Sequence, residues 1–144
     1  MDASSNRYRQ FARGALVKTA NSAAPTHSQL MIAFRTLRER LSRTLVPVFG
    51  STAIDALFDR SRHLATDEFP WFAELLPDGG EKAVDPSKVA HLAAIDALRE
   101  GLAAMLAHDI GLLVALVGED FIMPLIHKAW GAAGRLPAGT SEGD

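Results

Sequence analysis

The residues through which this chain could do chemistry are 5 histidines and 17 carboxylates, with no cysteine. Disulfides, thiol nucleophiles and thiolate metal sites are therefore excluded. No histidine stands in an H-E-x-x-H or E-x-x-H spacing, the patterns that put two ligands on one helical face. The nearest constellation is Asp55, Asp59, His63 and Asp67, each one turn below the last. Such a ladder can share a divalent ion, but Arg60 and Arg62 compete for the acids, and a solvated charged face is the expectation. No metal or cofactor is expected from these residues.

His91 and Asp109 are the buried polar candidates, since both fall on the apolar side of their segment. A buried acid with a shifted pKa is a functional clue. The structural readings are a helix N-cap for Asp109 and a first-turn hydrogen bond for His91. His108 beside Asp109 suggests a phosphoacceptor with an acid neighbour, but the Lys-Gly packing pair of helical phosphotransfer domains is missing after it. No serine lies in a G-x-S-x-G elbow. Gly131-Ala132-Ala133-Gly134-Arg135 follows a helix instead of opening one, so it cannot cradle phosphate on a helix N-terminus. No catalytic residue is singled out, which leans the reading away from an enzyme, although a site assembled from distant residues would leave no local motif.

Aromatic and basic residues are the candidate contacts to a partner. Phe69-Pro70-Trp71-Phe72 is the densest aromatic cluster, and Trp130 ends the last apolar segment. Aromatics on a connecting segment plug a bundle end or anchor a partner. Arg35, Arg38, Arg40 and Arg43 lie on one predicted helix. Eight of the 15 basic residues but only two of the 17 acids fall in residues 1–45. A basic face for nucleic acid is one reading. The aromatic interleaving of RNA-binding surfaces is missing, and the expectation is that the basic part packs on the acidic part within one domain.

Helices must position all of these groups. Apolar spacing is helical almost throughout, with no convincing strand and no repeat at solenoid periods. The expected fold is an all-α, single-domain bundle of four to five main helices plus one short connecting helix. Residues 1–25 form a basic segment, helical over roughly 5–19 and liable to fray. The bundle covers 26–130, and 131–144 form a flexible tail. Thr26-His27-Ser28-Gln29 has capping-box spacing, and Leu30, Phe34, Leu37, Leu41 and Leu45 form one stripe. Pro47 should end that helix. Ser51 should cap the next, over about 52–65. A short helix ends near Leu76, and a loop runs from Pro77 to about Val84. Asp85-Pro86 opens an element that runs unbroken to Val117 or breaks at His108-Asp109, with the break favoured on length. The last helix spans about 119–130, with Pro124 near its start.

Length and composition agree with this. The 144 residues, 48% hydrophobic and 22% charged, make one soluble globular domain. The apolar stretch from Gly101 to Ile126 is interrupted by His108, Asp109, Glu119 and Asp120, and a core helix is expected instead of a membrane span. The N-terminus lacks an apolar run of signal-peptide length. A cytoplasmic location is expected, with a transit-peptide-like, acid-poor N-terminal region as the minor alternative.

The function these features suggest is a non-enzymatic helical protein–protein interaction or regulatory module, of the adaptor or signalling kind. The partner is another protein or a second copy as a homodimer. One alternative is a sensor binding a small apolar ligand in the bundle core, lined by Met105, Phe121, Met123, Trp130 and His91. Another is weak nucleic-acid binding through the basic N-terminal third, which is the less favoured.

Overall fold

The computed structural model describes residues 3–75 and 86–131. Seven helices and no strand occur among them: α1 (Ala3–Ala20), α2 (His27–Phe49), α3 (Ser51–Glu68), α4 (Phe72–Leu75), α5 (Pro86–Leu92), α6 (Ile95–Val117) and α7 (Glu119–Trp130). The all-α expectation holds. The Pro77–Val84 loop, the Asp85 cap and all of the tail after Gly131 lie outside the described residues.

α2 starts as its sequence requires. Thr26 Oγ1 accepts from the Gln29 amide at 3.1 Å, and Gln29 Oε1 accepts from the Thr26 amide at 2.9 Å. Its apolar stripe is buried from Leu30 to Leu45. The helix does not stop at Pro47 but runs on to Phe49. Pro47 removes only the bond to the Arg43 carbonyl in the last turn, where exposed backbone takes water instead. Ser51 is not the cap of α3. Gly50 is, with φ +91° and no side-chain cap bond.

The chain breaks at Ala93-Ala94, not at His108-Asp109, and α6 runs unbroken through the latter. α6 is the centre of the molecule, packing on α1, α3, α7 and α2. Gly101 to Ala107 are buried without interruption. At Gly101 the bundle needs the missing side chain: a Cβ would sit 2.7 Å from the Trp71 ring. By length and composition α6 could cross a membrane, with a mean hydropathy of 1.7.

α1 is part of the same core. Tyr8, Ala12, Ala15 and Leu16 are buried, and it packs on α6 and α2. The charge asymmetry is resolved within the molecule. Arg7 pairs with Glu119, Arg9 with Glu68, Arg13 with Glu100 and Arg38 with Asp109.

The two long central helices end in the same way. α2 and α6 are both 23 residues long. Each ends on a single glycine, Gly50 at φ +91° or Gly118 at φ +93°, and each is followed at once by another helix. Aligning the two glycines matches Leu30 with Leu98, Leu45 with Leu113, Val46 with Val114, Ile54 with Ile122 and Leu57 with Leu125. α2 packs on α7, and α6 packs on α3.

Candidate functional site

The most unusual chemistry lies between α2 and α6. Arg38 sits on the core side of α2, one turn below Phe34, and its guanidinium meets Asp109 of α6. The contact is bidentate: Nε donates to Oδ2 at 3.0 Å and Nη2 to Oδ1 at 2.9 Å. Asp109 is fully buried and Arg38 is 8% exposed. The guanidinium also lies 4.2 Å from the Phe58 ring centre and 5.3 Å from that of Phe34, within cation–π range. Burial pushes the Asp109 pKa up, and Arg38 opposes that push only in part. The Ser61 hydroxyl, fully buried on α3, favours ionised Asp109 but makes no hydrogen bond of good geometry.

Asp109 is therefore buried in the middle of a helix and does not cap one. Its carboxylate is engaged by Arg38, so the α6 backbone has no reason to break there. His91 is not buried: it is exposed near the end of α5. The two polar candidates do not share a site. His108 is half-buried, and its Nε2 has no hydrogen-bond partner. Burial and the charge of Arg9 push its pKa down, so it is neutral at pH 7.

Beside the ion pair, an open cleft of about 630 Å³ separates α2 from α3. Phe34 and Phe58 contribute apolar wall. Ile32, Arg35, Thr36, Glu39, Ser42 and Arg43 line it from α2, and Asp55 from α3. Arg38 reaches it as well, with Nη1 on the side away from Asp109. Arg43 is tied to Glu39 at 2.9 Å.

The four arginines thus divide. Arg35, Arg40 and Arg43 are exposed, while Arg38 is buried and paired, so the four do not share one exposed face. The aromatic candidates divide too. Phe72 and Trp130 are fully buried and present no surface to a partner. Trp130 Nε1 donates to the Leu37 carbonyl at 3.0 Å, and its ring stacks on Phe11. Phe69 and Trp71 are partly buried and pack edge to face, so the cluster plugs the bundle. The residues expected to line a core ligand pocket do not converge. Met105 and Trp130 are packed in the core, whereas His91 and Phe121 are exposed.

Among the described residues no group of three or more His, Asp or Glu is placed to hold a metal. In the Asp55–Asp67 ladder, Asp59 is bound to Arg62 at 3.0 Å, and His63 Nδ1 lies 2.9 Å from the Asp59 carbonyl. On α1, Tyr8 donates to Glu119 of α7 at 2.7 Å, and Arg7 adds a contact at 2.9 Å. The Tyr8 hydrogen bond and the Arg7 charge hold the Glu119 carboxyl below its ordinary pKa.

The cleft was not legible as a site in the sequence. Its one early signal was the row of arginines on α2, which does not tell a solvated face from a groove wall. Comparison with protein-family models, curated proteins and solved structures returns no match.

Proposed function

We propose that this protein is a non-enzymatic helical interaction module that docks a partner protein in the cleft between α2 and α3. The observation that carries this reading is the cleft itself: an open, aromatic-walled groove beside an arginine whose orientation is fixed from behind by a buried carboxylate. A side chain held in place before binding loses little entropy when a partner arrives. Aromatic and arginine groups of this kind are the usual anchors of interfaces. Ile32 adds an exposed apolar contact, 61% accessible, on the rim. In this reading α6 is a core helix, because its one buried charge is answered by Arg38 and Gly101 to Ala107 are buried against other helices.

A photo-crosslinking residue placed at Ile32 of the full chain tests the proposal in cells of the source organism. Adducts with one defined protein, missing when the probe stands at exposed Asp67, are expected. Identical adduct patterns from the two positions would sink it.

A further inference from the structure

We infer that α1 is a strap gated by pH: acidification protonates His108 beneath it and releases α1 from the rest of the bundle. The device is independent of whatever occupies the α2–α3 cleft.

Its geometry is one carboxylate serving two cations in turn. His108 lies on α6, and α1 packs along that helix and covers one side of it. The ring is half-buried, and its Nε2 is buried with no hydrogen-bond partner. A protonated imidazole carries a donor on both nitrogens, and Nε2 has no acceptor to meet. Arg9 of α1 is bound to Glu68 at the end of α3, with Nη1 donating to Oε2 at 3.1 Å and Nη2 to Oε1 at 2.9 Å. Burial is the largest influence on His108 and opposes the proton. The charge of Arg9 opposes it too, while Glu68 and the neighbouring Asp109 favour it. Asp109 is already answered by Arg38 of α2. From α7, Glu119 and His127 meet α1 at Tyr8, Arg7 and Phe11.

While α1 is docked, Arg9 occupies Glu68. When α1 leaves, Arg9 leaves with it, water reaches the ring, and Glu68 is freed to serve an imidazolium. The protonated form therefore prefers the open arrangement. The docked state holds the His108 pKa below the ordinary histidine value. Docking is thus at full strength above about pH 6.5 and weakens as pH falls below it. α1 is light enough to respond. Its buried side chains are Tyr8, Ala12, Ala15 and Leu16, two of them single methyl groups. Its arginine pairs at Glu119, Glu68 and Glu100 lie at the surface and add little.

Amide hydrogen exchange of the full chain, followed by NMR at about pH 7.5 and about pH 5, tests this. Protection factors remove the intrinsic pH dependence of exchange. Amides from Ala12 to Leu16 are expected to lose protection about threefold or more on acidification, while those of α2 and α7 keep theirs. His108→Asn, polar but without a charge to gain, should flatten that loss. His127→Asn, at the other histidine that meets α1, should leave it in place. Unchanged α1 protection in the wild type, a loss shared equally by all helices, or a loss that persists in His108→Asn would overturn the inference. So would a loss abolished by His127→Asn instead. Should His108→Asn fail to fold, the ring-proton shifts of wild-type His108 decide. A midpoint below the ordinary histidine value, in step with the α1 amides, is expected, and a midpoint at or above about 6.5 overturns the inference.

Discussion

The Arg38–Asp109 pair shows how one polar contact sets the terms for its neighbours. Both ions are out of water, and the desolvation this requires is repaid only by bidentate geometry and the flanking rings. Removing one partner strands the other. Arg38→Leu or Asp109→Leu alone should therefore destabilise the chain by about 3–5 kcal/mol, read as a shift of the urea midpoint. The double replacement should recover most of that loss or exceed wild type. Leu41 and Leu106, one turn along from the pair on each helix, are buried in the same core and show that apolar side chains fit beside it. If the double variant is as unstable as the singles, the pair is doing more than matching charge. The expectation that a buried acid lay at Asp109 was readable from its place on an apolar face. Its partner was not, since Arg38 lies 71 positions away and looks like one arginine among four. His91 misled for the opposite reason: it lies on the apolar side of a short helix that ends one residue later, at Leu92, and it is exposed.

At the scale of elements, caps and stripes were legible and helix ends were not. Thr26 and Gln29 act locally, so their box survives from sequence to structure. The break at Ala93-Ala94 depends on a distant residue: His27 Nε2 lies 2.8 Å from the Ala93 carbonyl left open where α5 ends. The two single-glycine corners are equally specific. Their φ of +91° and +93°, with ψ of 153° and 149°, belong to a region that side chains resist. Gly50→Ala and Gly118→Ala should each cost about 1–3 kcal/mol. Gly111→Ala, in mid-helix with open space around its Cβ position, should stabilise by about 0.5–1 kcal/mol. Thermal unfolding of the three variants separates these signs, and a stabilised Gly50→Ala would show that the corner relaxes without loss.

Over the whole molecule, the basic first third and the acidic remainder meet across α1. Exposed pairs such as Arg7–Glu119 add little, so burial of the α1 stripe holds that helix down. Deleting residues 1–21 should uncover the alanine face of α6. The shortened chain is expected to bind a hydrophobic dye and to elute as concentration-dependent oligomers. A dye-silent monomer would mean that α1 is not the cover described above.

What the sequence determined by itself is the short-range part: an all-helical chain, the α2 cap and the apolar stripes. These follow from the 3.6-residue period and from bonds spanning three or four positions. The tertiary structure alone decided which arginine enters the core and where α5 stops. Each depends on a contact between residues far apart in the chain. Local patterns carry no record of which distant side chain will satisfy a buried group.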